Sequence, residues 1–361
     1  MSEKIKLIKK IFSGYAHTFF HTTNDEVYGF GYNKDGELGV NIKEKYNHSP
    51  TLVKLPNKEQ IKSIFCGYLH TIFQSKNNSL YSCGYNVFGQ LGLDDKKNRI
   101  LPTKITFFGK KNLRIVACGG YHNIFLGKRK NNVMYGCGCN DSGELLKKEF
   151  CRFNKISELN YPWFLKGNIK DIICGCATTF ILTKKNKLFG IGCNDDGRLG
   201  AEKKVNSSIP VDLNVESVIS GSIDKFCYGS YHGLILSSDK TVYSFGLNDK
   251  GQLGIGKKHN NEVKIHKIEF PRNKSKIWKI KVGYVSSHLI FENGEYYGWG
   301  CNSDSLLDGK RKSADKIFSP VLLNERFNNC GIANLFISPL SSQYYFLISK
   351  SGNLFSVGKF E

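Results

Sequence analysis

Apolar residues along this chain come in runs of four to seven, rich in Ile, Leu, Val, Phe and Tyr, and each run is cut short by Gly, Asn or Asp. That pattern predicts short strands joined by tight turns rather than amphipathic helices. Around the second copy of the pattern the runs read as an A strand at 61–66, a B strand at 70–73 and a C strand at 80–83. A D strand at 103–107 is expected after Pro102.

The pattern recurs. One nine-residue motif begins at Gly31 (GYNKDGELG), Gly84 (GYNVFGQLG), Gly138 (GCNDSGELL), Gly192 (GCNDDGRLG), Gly246 (GLNDKGQLG) and Gly300 (GCNSDSLLD), at steps of 53 and then 54 residues. A seventh copy starts at Gly358. Each A strand ends in a second marker: GYAH from Gly14, GYLH from Gly67, GGYH from Gly119, GCAT from Gly175, GSYH from Gly229 and GYVS from Gly283. A degraded version lies at Ser338, Pro339, Leu340 and Ser341. Glycine supplies the positive φ that such turns need, and the Asn of G-x-N is placed to bond the turn backbone.

A period near 54 built from short strands predicts an all-β chain, a seven-bladed β-propeller of four-stranded antiparallel blades, with residues 1–361 as one domain. Seven A–B–C sets stand against six D strands. Antiparallel order brings the A–B turn and the C–D loop to the same end of each blade. The turns carry Tyr15, Tyr68, Tyr121, Tyr231 and Tyr284. The loops carry Lys43 and Lys45, Lys96, Lys97 and Arg99, Lys147 and Lys148, Lys203 and Lys204, Lys257 and Lys258, and Lys310, Arg311 and Lys312. Tyrosines framed by lysine pairs form the expected partner-binding face: the rings anchor, and the charges steer an acidic partner. Asp141, Asp195, Asp196 and Asp249 share that end.

The GxxH-like turns followed by GxNxxGxLG resemble the repeat of the regulator-of-chromosome-condensation family over essentially the whole chain. The resemblance implies a propeller that recognises protein or chromatin, with no enzymatic chemistry of its own. The alternative it implies is a guanine-nucleotide exchange factor for a Ran-type small GTPase, the role of the family's archetype. That role is associated with an acidic residue in a GxxH turn and an inserted wedge in one blade. Here no turn from Gly14 to Gly283 has Asp or Glu between the glycine and the histidine position, and the constant period has no room for a large insertion. The ultraviolet-B photoreceptor branch uses clustered tryptophans, whereas Trp163, Trp278 and Trp299 are expected one per distant repeat.

Composition adds a formal net charge of +21, which favours an acidic protein and admits nucleosome or DNA contact. The opposite end is also basic, at Lys128-Arg129-Lys130 and Lys184-Lys185 for example. No apolar stretch reaches membrane-spanning length and MSEKIKLIKK is charged where a signal peptide is apolar, so an intracellular protein, cytoplasmic or nuclear, with no membrane partner is expected. Twelve cysteines without disulfide-like spacing predict free, buried thiols, and the C-x-C pairs 137/139 and 174/176 lack a partner pair for metal. His17, His70, His122 and His232 belong to separate repeats and are expected to bond backbone groups of neighbouring blades rather than bind metal. With no Walker loop, nucleophile elbow or metal-spaced His/Glu set, the sequence predicts no catalytic residue, no cofactor and no small-molecule substrate.

Overall fold

A computed structural model describes residues 8–42, 44–109, 112–128, 133–149, 151–201, 204–256, 264–270, 275–303, 306–309, 314–340 and 344–358. The strands assemble in sequence order. The first sheet is β1 (Ile8–Ser13), β2 (His17–Thr22), β3 (Val27–Tyr32) and β4 (Tyr46–Leu52). The second is β5 (Ile61–Cys66), β6 (His70–Ser75), β7 (Leu80–Gly84) and β8 (Arg99–Lys104). The third is β9 (Leu113–Cys118), β10 (His122–Gly127), β11 (Met134–Cys139) and β12 (Arg152–Glu158). The fourth is β13 (Ile169–Cys174), β14 (Thr178–Thr183), β15 (Leu188–Gly192) and β16 (Ser207–Asp212). The fifth is β17 (Ile223–Tyr228), β18 (His232–Ser237), β19 (Val242–Gly246) and β20 (His266–Lys267). The sixth is β21 (Ile277–Val282), β22 (Ser286–Phe291), β23 (Tyr296–Cys301) and β24 (Lys316–Leu322). Among the described residues the seventh has three strands, β25 (Ile332–Ile337), β26 (Tyr344–Ser349) and β27 (Leu354–Gly358).

The fold is therefore a seven-bladed β-propeller, with six D strands among the described residues, as the repeats predict. Among the described residues no helix is long and apolar enough to cross a membrane. The chain divides into two compact units. Unit 1 comprises Met1–Lys185, Phe189–Cys193 and Asn206–Val211; unit 2 comprises Asn186–Leu188, Asn194–Val205 and Asp212–Glu361.

The hydrophobic pattern follows from which strands are covered on both faces. Strands β14, β18 and β22 are buried along their whole length, and none of the three carries a Lys, Arg, Asp or Glu. Adjacent sheets then share a core. In unit 1, Phe19, Leu38 and Val53 of the first repeat pack with Ile64, Phe73 and Tyr81 of the second. In unit 2, Leu234 and Val242 pack with Leu289, Phe291 and Trp299.

The D strand of the second sheet corrects the sequence reading. It spans Arg99–Lys104 and contains Pro102, while Phe107 lies in a turn. Ser82 faces Thr103 and Gly84 faces Arg99, so Pro102 falls in an irregular stretch of an edge strand where no ladder N–H is required. Proline read as a strand boundary is thus part of the strand.

The nine-residue motif is a staple for the C–D loop. The side-chain oxygens of Asn33, Asn86 and Asn140 accept the N–H groups of Leu38, Leu91 and Leu145 at 3.0, 2.9 and 2.7 Å. Their amides reach the loop carbonyls of Ile42, Lys97 and Glu149 at 3.0, 3.1 and 2.7 Å. Gly31, at φ +102°, is obligatory, because a Cβ there would lie 2.5 Å from the carbonyl oxygen of Ala16.

Candidate partner-binding surface

Four of the A–B turns are fixed by a buried histidine that reaches the next sheet. His17 Nε2 lies 3.0 Å from Thr71 Oγ1, His70 Nε2 2.9 Å from Asn123 Oδ1, and His122 Nε2 3.0 Å from Thr179 Oγ1 in unit 1. In unit 2, His232 Nε2 lies 2.8 Å from Ser287 Oγ. The expected backbone partner is therefore a side chain, and the backbone contact is made one link further on. Thr71, Asn123, Thr179 and Ser287 donate to the carbonyls of Glu37, Gln90, Glu144 and Gln252 at 2.7, 2.6, 2.8 and 2.8 Å. A hydroxyl has one proton, and it is committed to the carbonyl, so each of His17, His122 and His232 must donate from Nε2.

This leaves Nδ1 of all four rings unprotonated, sealed from water and without a hydrogen-bond partner. Protonation would place a donor in a dry site, and burial accordingly lowers His17, His122 and His232 to about 3 and His70 to about 4. Neutral rings whose Nε2 protons are committed to sheet contacts are poor general acids. Among the described residues no group of three or more His, Cys, Asp and Glu side chains is placed to hold a metal ion.

The turns of unit 1 are also joined to one another. Tyr15 N–H donates to the Tyr68 carbonyl at 3.3 Å, Tyr68 N–H to Gly120 at 3.0 Å, and Gly120 N–H to Gly175 at 3.1 Å. On this rigid base the rings of Tyr15 and Tyr68 sit 5.6 Å apart and those of Tyr68 and Tyr121 5.4 Å apart, the second pair perpendicular. The file continues through Phe88, 4.7 Å from Tyr121, to the guanidinium of Arg152, 4.4 Å above the Phe88 ring. Tyr15 is exposed and Tyr68, Phe88 and Tyr121 are half-buried. Burial pushes the Tyr121 phenol up to about 12.

In unit 2 the phenol oxygens of Tyr231 and Tyr284 are 2.8 Å apart, with the Arg198 guanidinium 4.7 Å from the Tyr231 ring. Arg198 is itself held by both oxygens of Asp196, at 2.7 and 2.6 Å. Within each unit the structure thus brings the predicted tyrosines together. Phe88 and Arg152 were missed. The available signal was the aromatic residue at the fifth motif position, GYNVFGQLG, where the other copies carry Asp, Ser or Lys.

The loop cations are less uniform than the sequence implies. Lys96, Lys97 and Lys204 are exposed. Arg99 pairs with Asp95 at 2.5 Å, and Lys147 turns inward to Ser157 Oγ at 2.7 Å and the Phe153 ring at 3.9 Å. Lys43, Lys203, Lys257, Lys258, Lys310, Arg311 and Lys312 lie outside the described residues. Trp278 and Trp299 share the sixth sheet and are not in separate repeats, and Trp299 is a core residue whose N–H donates to the Gln252 carbonyl at 3.0 Å.

Comparison with known proteins agrees with the repeat pattern. The profile of the regulator of chromosome condensation (RCC1) repeat matches residues 24–74, 77–126, 185–236 and 239–288, more than half of the chain. The ultraviolet-B receptor UVR8 of Arabidopsis thaliana is 28% identical over 252 residues, covering 69% of this chain and 55% of the receptor. A bifunctional serine/threonine-protein kinase/NEDD4-like E3 ubiquitin-protein ligase of Dictyostelium discoideum is 28% identical over 84% of this chain and 19% of its own length. The chain thus spans about half of the first relative and a fifth of the second. The crystal structure of Prp20p from Saccharomyces cerevisiae, described with its binding to Gsp1p and histones, superposes with a TM-score of 0.76 at 22% identity, covering 97% of this chain and 82% of that one.

Proposed function

The chain belongs to the RCC1 repeat family, and from that premise we propose that it is a non-enzymatic interaction module that docks an acidic protein on the A–B turn end of unit 1. The observation that carries this reading is the aromatic file Tyr15, Tyr68, Tyr121 and Phe88, part-exposed yet held by turn-to-turn backbone bonds and closed by Arg152. Rigid aromatic rings lose little entropy on binding, and Lys96 and Lys97 at the rim favour an acidic approach. Chromatin, through histones or DNA, is the second partner class within this reading, and a cytoplasmic or nuclear residence accompanies it.

Nucleotide exchange on a Ran-type GTPase ranks second. It is favoured by the fold shared with Prp20p and disfavoured by A–B turns that carry no carboxylate. Two assays separate the readings. Cross-linking in the cell that makes the protein, repeated with Y68A/Y121A/F88A, should recover an acidic partner with the wild type only, and titration of that purified partner should show at least a tenfold affinity loss in the variant. Equal affinity for both forms rejects the docking face. Catalytic acceleration of GDP release from the cognate GTPase would replace the module reading by the exchange reading.

A further inference from the structure

Every A strand carries a β-bulge at its second residue. In unit 1 the pairing register skips Lys9 between Ile8 and Lys10, Lys62 between Ile61 and Ser63, Arg114 between Leu113 and Ile115, and Lys170 between Ile169 and Asp171. All four bulged residues are cations and all four are exposed. The corresponding bulges of unit 2 carry Asp224, Trp278 and Ala333, so the series is confined to unit 1. A bulge re-aims its extra side chain out of the pleat. Here it does so four times at one register, on strands that are direct neighbours: β1 touches β5, β5 touches β9 and β9 touches β13.

Local contacts hold Lys9, Lys62 and Arg114 at the B–C turn end, away from the tyrosines. Arg114 donates to the carbonyls of Ile169 and Lys170 on the next A strand at 2.8 and 3.4 Å, and Lys62 Nζ lies 3.4 Å from Asn78 Oδ1 in the adjoining turn. Two acids enter the cluster. Asp25 is shared by Lys9 at 3.6 Å and Lys76 at 2.8 Å, and Asp171 follows Lys170. Repulsion among cations one strand apart is unfavourable unless an anion of matching charge density relieves it.

We propose that this bulge cluster binds a compact, multiply phosphorylated small anion, with Lys9, Lys62, Arg114 and Lys170 each meeting a phosphate. Neighbouring strands concentrate the cations in one patch, which fits phosphates clustered on a small molecule; a nucleic-acid duplex presents its phosphates along a track. Lysine and arginine both recognise phosphate through charge-assisted hydrogen bonds.

The test titrates the full chain by calorimetry in about 50 mM salt with inositol hexakisphosphate, inorganic tripolyphosphate and a duplex of about 20 base pairs. Wild type and Y68A/Y121A should bind one of the small polyphosphates equally. K62E/K170E should bind it at least tenfold more weakly. Tighter binding of the hexakisphosphate assigns a cyclitol ligand and tighter binding of tripolyphosphate a linear one, both within the proposal. Circular dichroism checks the fold, and K62Q/K170Q replaces the charge reversal if that variant is unfolded. No binding of either small polyphosphate at about 100 µM, binding of the duplex alone, or affinity unchanged by the lysine variants overturns the site.

Discussion

His70 and Asn123 stand 53 residues apart in sequence and 2.9 Å apart in space, Nε2 to Oδ1, with neither exposed to water. Asn123 passes the link on to the Gln90 carbonyl at 2.6 Å, so one turn, one loop and the next sheet are tied in three groups. Removing the ring should leave Asn123 half-satisfied and open a cavity beneath Gly67. H70A is expected to lose roughly 2–4 kcal/mol of unfolding free energy. Urea denaturation measures it, and a loss below about 0.5 kcal/mol would show that the link is ornamental.

Acid should unfold the protein through the same four rings and through His288, buried on β22. His17, His70, His122, His232 and His288 have folded pKa values of about 3 to 4 against an ordinary 6.5. Their folded values are depressed, so the stability they contribute is fully present above pH 6.5 and is lost as pH falls towards 3. At pH 5 each ring should cost roughly 2 kcal/mol relative to neutral pH. Denaturation at pH 7 and pH 5 should therefore differ by several kcal/mol and by several protons taken up; equal stability at the two values refutes neutral burial.

Glu37 should do the opposite. One carboxylate oxygen accepts the Asp35 N–H at 3.0 Å, the other is buried without a partner, and burial raises the group from 4.5 to about 7. A raised carboxyl favours the folded state below pH 4.5 and loses that contribution as pH climbs through 7. Gln90 and Gln252 occupy the same motif position and accept the equivalent N–H groups of Phe88 and Lys250 at 3.1 and 2.8 Å. E37Q should be near neutral at pH 5 and stabilising at pH 8 by up to about 3 kcal/mol. Thermal melts at both values decide it, and a destabilised variant at pH 8 would contradict the reading.

Gly67 should tolerate no side chain. A Cβ there would overlap Cε1 of His70 and come within 2.8 Å of the Gly119 carbonyl of the neighbouring turn. G67A is expected to cost at least about 3 kcal/mol. A G67A/H70A double variant should recover part of that loss, since the clash with the ring is gone. Strictly additive losses would place the constraint elsewhere.

The period and the two glycine markers carried the architecture because each repeat needs the same turns at the same places. The D strand at Arg99–Lys104 was misplaced because Pro102, read as a boundary, sits at a bulge on an edge. The histidine partners were hidden for a different reason. Thr71, Asn123, Thr179 and Ser287 follow the GxxH position directly, but which residue a ring meets depends on the stacking of sheets, and no local pattern records that. Tyr15, Tyr68 and Tyr121 were visible as turn residues, whereas Phe88 and Arg152 join them from a C–D loop and a D strand of different repeats. The bulges at Lys9, Lys62, Arg114 and Lys170 leave no mark in composition, since lysine is abundant throughout the chain.

The amide of Tyr68 gives its proton to Gly120, a residue of the adjoining blade. Deuterium can replace that proton only when the two blades part, whereas amides paired within a blade need only local fraying. Exchange at this one site therefore gauges how firmly one blade adheres to the next, and a ligand seated on the rings would announce itself there by slowing the clock.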